Sequence, residues 1–139
     1  MDWKICAVED LRRYNLMKAG ILNSEDKLRT IESDVMRARS ALEDRRKRID
    51  SRLVDALVEG ERLKTNILTA KTLTKLVERG LSILCDNDRR ILEIFYMSGV
   101  TKPATHLVKE LGYSPRSIYR ARDRALEKFT LAMYGVENL

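Results

Sequence analysis

The chain has 139 residues and a net charge of +6, from 27 Lys plus Arg against 21 Asp plus Glu. With 35% charged and 44% hydrophobic residues but only six glycines and two prolines, it fits an all-α protein with long solvated faces, not a disordered tail or a sheet-rich fold. The basic surplus favours a polyanionic partner such as nucleic acid, and no apolar run approaches the ~20 residues of a membrane span.

At the N-terminus, Met1-Asp2-Trp3-Lys4 lacks the charged-then-apolar layout of a secretory signal. Cys6 and Cys85, with His106 as the single histidine, make neither a disulfide framework nor a metal-ligand cluster. The expected setting is therefore a reducing cytoplasm, with no cofactor and no metal. From about Val8 to Leu84 the chain has no proline. Leu28, Ile31, Val35, Ala38 and Leu42 recur in steps of three and four, the seam of a heptad. The run Glu43-Asp44-Arg45-Arg46-Lys47-Arg48 predicts a break. Its Arg45–Arg48 cluster reads either as a solvated helix end or as a nucleic-acid contact.

A second helical stretch follows. Leu53, Leu57 and Val58 precede Gly60, and then Leu63, Ile67, Ala70, Val77, Leu81 and Leu84 mark its apolar face. Residues 1–84 are thus predicted to form two long helices, coiled-coil-like, folded back as a hairpin or paired with another copy. Helices of this length are marginal alone, so a homo-oligomer through them is expected.

Residues 85–139 are punctuated differently. Asp86-Asn87-Asp88 offers capping side chains before Ile91, Leu92, Ile94 and Phe95, and Gly99 closes that helix. Thr101 is predicted to cap a second helix with Leu107, Val108 and Leu111 on one face, ended by Gly112. Ser114-Pro115 is a hydroxyl cap followed by proline at the first helical position. It opens a third helix from Pro115 to about Tyr134, stopped by Gly135. Three short helices with a tight turn between the last two make a helix-turn-helix pattern.

At about 100° per residue, Ile118, Ala121, Ala125 and Phe129 share one stripe of the third helix, with Arg122 on its margin. The opposite face holds Arg116, Tyr119, Arg120 and Asp123. In a helix-turn-helix protein that end enters the major groove of double-stranded DNA. Arg116 and Arg120 can donate bidentately to guanine, Tyr119 offers a ring to a thymine methyl, and Asp123 can accept from cytosine or hold a neighbouring arginine. Ser114, Ser117 and Arg124, with Lys102 and Lys109 on the second helix, suit phosphate positioning. An arginine-rich face is also what a solvated helix looks like, with Asp123 and Glu127 balancing Arg120 and Arg124. His106 reads as exposed and silent. There is no GxSxG, P-loop or glycine-rich dinucleotide turn, so no catalytic residue is assigned and the chain is not read as an enzyme.

The segments Asp88-Arg-Arg-Ile-Leu-Glu-Ile-Phe-Tyr96, Leu107-Val-Lys-Glu-Leu-Gly-Tyr-Ser114 and Ile118-Tyr-Arg-Ala-Arg-Asp-Arg-Ala-Leu126 resemble region 4 of bacterial sigma factors. That region is a helix-turn-helix that reads the −35 promoter element. The whole chain is similar to the sigma-like regulators of Gram-positive phages and prophages, of the ArpU and RinA type. Carrying this likeness are Arg13-Tyr-Asn-Leu-Met-Lys-Ala-Gly-Ile-Leu22 and Lys128-Phe-Thr-Leu-Ala-Met-Tyr-Gly135. The resemblance implies transcriptional control of late phage genes, with RNA polymerase as a further partner if the regulator activates, and no catalytic site. Pro115 replaces a residue that contacts DNA in sigma factors, Val108 stands where a small residue is usual, and nothing resembles sigma region 2. Two other readings of the pattern stay open: a small terminase subunit recognising phage DNA for packaging, and a bundle that binds proteins instead of DNA.

Overall fold

The computed structural model describes residues 2–45 and 51–136, and it is all-α. Five helices follow in order: α1 (Trp3–Arg45), α2 (Ser51–Ile83), α3 (Asp86–Leu92), α4 (Pro103–Leu111) and α5 (Pro115–Tyr134). A π-helical turn, Glu93–Met97, extends α3. The run expected to carry a break, residues 43–48, is helical in α1 through Arg45. Arg46, Lys47 and Arg48, with the nucleic-acid reading of that cluster, lie outside the described residues. Among the described residues, no helix is long and apolar enough to cross a membrane.

Asp2 starts α1: its Oδ1 accepts from the backbone N–H groups of Lys4 (3.0 Å) and Ile5 (3.3 Å), satisfying donors that the first turn leaves open. Along both long helices, oppositely charged side chains a turn apart pair on the surface: Glu9 with Arg13, Asp26 with Arg29, Asp34 with Arg37 and Glu59 with Arg62. Such exposed pairs favour the helix by a few tenths of a kcal/mol each.

Compactness divides the chain into Met17–Thr72 on the one hand, and Met1–Leu16 with Leu73–Leu139 on the other. In the first unit, α1 and α2 run antiparallel. Glu25 pairs with Lys71 (2.7 Å), Lys27 with Glu59 (3.5 Å) and Glu32 with Lys64 (3.7 Å), so the partner number falls as α1 advances. Bonding from Lys71 holds the Glu25 carboxyl below its ordinary value against the opposing effect of burial. The α2 seam corrects the sequence reading. Its members are Leu53, Ala56, Gly60, Leu63, Ile67 and Ala70, continuing beyond this unit through Thr74 and Val77 in unbroken steps of three and four. Leu57 and Val58, expected on the apolar face, are 37% and 64% exposed. The seam passes through a glycine and a threonine, which a search for apolar residues steps over.

In the second unit, Ile91, Ile94, Leu107, Ile118 and Ala121 form a core shared by α3, its π turn, α4 and the first half of α5. A separate cluster places Ala125, Leu126 and Phe129, from the second half of α5, against Ala7 and Leu11 of α1 and Val77, Leu81 and Leu84 of α2. This differs from the boundary expected at Leu84: α5 buries its C-terminal half on the ends of the long helices, so the three-helix segment does not close its core alone. Hydrogen bonds follow the same seam, with Lys4 donating to Glu127 (3.1 Å) and Asn15 to the Met97 carbonyl (2.8 Å).

Candidate nucleic-acid interface

The capping of the three short helices agrees with expectation at one start and departs from it at two. Ser114 is the cap of α5: its Oγ accepts from the Ser117 N–H (3.2 Å), and Pro115 takes the first helical position. Before α4, however, the cap position is Lys102 and not Thr101, with no side-chain bond, because Pro103 opens the helix and keeps the residue before it out of the helical region. Lys102 therefore precedes α4 rather than lying on it. Before α3 the cap position is Cys85, also without a side-chain bond. Asp86 and Asp88 sit inside the first turn, where their charges meet the positive end of the helix. Gly112 ends α4 at φ +73°, a left-handed conformation that sends the chain back toward α5.

Side-chain bonds fix the α4–α5 turn to α3. Arg90 of α3 grips Glu110 of α4 through Nε (2.9 and 3.1 Å) and Nη2 (2.8 Å). The same bonds hold the Glu110 carboxyl below its ordinary value and raise the Arg90 guanidinium. Asn87 donates to the Tyr113 hydroxyl (3.1 Å), and Lys128 of α5 pairs with Asp88 (3.2 Å).

Arg116, Tyr119, Arg120, Asp123 and Arg124 are all exposed on the first turns of α5, with Arg116 and Arg120 about 6 Å apart along the axis. Tyr119, 46% exposed, meets Phe95 edge-on at 6.0 Å between centroids. Arg122 lies over both rings, its Cζ 5.2 Å from the Phe95 centroid and 5.1 Å from that of Tyr119. Its Nε and Nη2 donate to Asp123 Oδ1 at 3.1 and 2.9 Å. Of the two roles open to Asp123, holding a neighbouring arginine is the one formed here, and the arginine is Arg122. The pairs that would have balanced Arg120 and Arg124 do not form, since Glu127 bonds Lys4 instead.

The cations of the three-helix segment divide cleanly. Arg89, Arg90, Arg122 and Lys128 each have a carboxylate partner. Among the described residues, Lys102, Lys109, Arg116, Arg120 and Arg124 form no ion pair, and all five are exposed. Ser114 and Ser117 spend part of their capacity on each other, Ser114 Oγ donating to Ser117 Oγ (2.9 Å). His106 is exposed, 3.8 Å from Glu110. Asn87 and Tyr113, which the sequence marks only as cap and turn residues, border a groove of about 290 Å³ together with Ser117 and Arg124. Among the described residues, no cluster of His, Cys, Asp or Glu is placed to hold a metal ion. No protein-family model, curated protein or solved structure matches the chain.

Proposed function

We propose that the chain is a sequence-specific regulator of transcription that reads double-stranded DNA with a sigma region 4-like helix-turn-helix, α4 and α5. One observation carries the reading: among the described residues, the five cations of the segment left without a carboxylate are the arginines on the outer face of α5 and the two lysines at the ends of α4. Phosphates supply the missing anions, and guanine edges supply the acceptors that a guanidinium fork matches. In this reading Arg116 and Arg120 are the base readers, with Tyr119 beside them. Lys102, Lys109, Arg124 and the Ser114–Ser117 cap position the backbone. Asp123 acts through Arg122.

The regulator belongs to the late-gene type of phages and prophages that the sequence resembles, working in the bacterial cytoplasm by binding, without catalysis or cofactor. Two copies joined through the N-terminal helices present two recognition helices to spaced half-sites. RNA polymerase is a second partner where the bound protein activates.

The test is selection of bound duplexes from a random DNA pool, run beside Arg116→Ala/Arg120→Ala. A motif enriched by the wild type and lost by the double mutant is the expected result. No enriched motif at moderate salt would overturn the reading and favour a protein-binding bundle. An enriched motif bound by a ring of eight or more copies would favour the packaging subunit.

A further inference from the structure

The groove of about 290 Å³ between the first turn of α3 and α5 combines two chemistries. Its floor is apolar, formed by Ile91 and Ala121, both buried. Its rim is polar, and Asn87, Tyr113, Ser117 and Arg124 are all exposed on it. The two rim hydroxyls are already oriented by their neighbours. The Tyr113 hydroxyl accepts from Asn87 Nδ2 (3.1 Å), and Ser117 Oγ accepts from Ser114 Oγ (2.9 Å). Each therefore keeps its own proton for a further acceptor, and Asn87 keeps its second amide N–H. Arg124 stands two turns beyond Ser117, and a long helical side chain points back toward the N-terminus, so both border the same groove. The carboxylate at the rim, Asp88, is neutralised by Lys128 at 3.2 Å, which leaves the charge of Arg124 in excess.

We propose that this groove holds one sugar–phosphate unit of the DNA backbone, with Asn87 and Tyr113 as contact residues beside Ser117 and Arg124. The inference rests on the DNA reading and deepens it by bringing α3 into the interface. Chemistry and position select the ligand together. Donors that converge around one guanidinium without a matching acceptor call for an anion. An apolar floor under that rim suits a deoxyribose ring carrying its phosphate, which a bare inorganic anion would leave uncovered. Ser117 and Arg124 stand about 80–100° round α5 from Arg116. With Arg116 and Arg120 turned to the base edges, residues a quarter-turn away face the strand that walls the major groove. Tyr113 in the turn and Asn87 on α3 continue that flank away from the bases.

Methylphosphonate scanning of the selected duplex, which replaces one phosphate at a time by an uncharged group, tests this with the full chain. The wild type is expected to lose about 10-fold in affinity when the phosphate in the groove is neutralised. Tyr113→Phe keeps the ring and removes one hydroxyl, and should bind the unmodified duplex about 3- to 10-fold more weakly. At that one phosphate, Tyr113→Phe and Asn87→Ala should each lose much less than the wild type, because the contact is already gone. At every other phosphate they should lose as much. Misfolding would weaken binding without silencing a single phosphate, so the scan separates the two. If either variant stays as sensitive as the wild type at every phosphate, the proposal is overturned and the DNA reading stands. A wild type that enriches no duplex overturns both.

Discussion

A β-carbon on Gly80 of α2 would stand 2.8 Å from Cε2 of Phe129 on α5. Phe129 is fully buried between Leu11, Val77 and Ala125, so its ring has nowhere to go. Glycine is required here for close packing and not for an unusual backbone angle. Gly80→Ala is therefore expected to destabilise by about 1–3 kcal/mol, the range for overpacking a filled core. Thermal melting checks it. An unchanged or raised melting temperature would mean that the contact at Phe129 is looser than described.

Gly60 should behave oppositely. A β-carbon there meets Ile31 at 3.7 Å and Leu28 at 3.8 Å, ordinary contact distances. Gly60→Ala adds a methyl group in helical backbone without strain and should stabilise by about 0.5–1 kcal/mol. Measured side by side, the two substitutions should move the melting temperature in opposite directions.

These two glycines also mark how far the sequence could be read. The all-α class, the start of α5 at Ser114-Pro115 and its stripe of Ile118, Ala121, Ala125 and Phe129 follow from local chemistry, because caps and periodicity act within a few residues. The α2 seam was misread at Gly60 and Thr74 because those residues keep the register without an apolar side chain. The cap expected at Thr101 falls instead on Lys102, since proline geometry at Pro103 outweighs a hydroxyl, and the capping expected from Asp86-Asn87-Asp88 falls on Cys85. The docking of α5 on residues 7–11 and 77–84 was not legible, because long-range pairing leaves no local pattern. For the candidate site, the exposed basic face of α5 was legible from the helical wheel. What each charge would pair with was not: Asp123 found Arg122, and Glu127 found Lys4 at the far end of the chain.

The bond network from Arg90 makes acid stability testable. Arg90 holds the Glu110 carboxyl below its usual value of 4.5 chiefly by hydrogen bonding, with burial opposing. A carboxylate whose folded pKa is depressed contributes stability that is present above the unfolded value and lost as pH falls through the folded one. Glu110→Gln should thus lower the melting temperature modestly near neutral pH, modestly because the pair is solvated. The gap from the wild type should close as the pH falls below about 4.5. A gap that persists or widens in acid would show that Glu110 acts through something other than its charge.

Arg122 and Asp123 should act as a unit. Arg122 lies over the rings of Phe95 and Tyr119 while Asp123 holds its guanidinium, so removing either frees the other. In a double-mutant cycle on DNA affinity, Arg122→Ala and Asp123→Ala should be non-additive by at least about 0.5 kcal/mol, as contacting residues are. Additive losses would instead indicate that Asp123 touches the duplex by itself.

The unpaired cations give the sharpest separation of roles. Arg116→Ala and Arg120→Ala should each cost about 1–3 kcal/mol on the selected site and relax preference at particular base pairs, because a guanidinium fork discriminates guanine from the other bases. Lys102→Ala removes a point charge that the proposed reading assigns to phosphate. It should weaken every sequence alike and reduce the slope of log affinity against log salt by about one. Titrations of the three variants against the selected duplex and a scrambled one, each at several salt concentrations, decide between these outcomes. If all three lose the same affinity on both duplexes, the α5 arginines are phosphate contacts, and specificity must come from elsewhere on the protein or from the shape of the DNA.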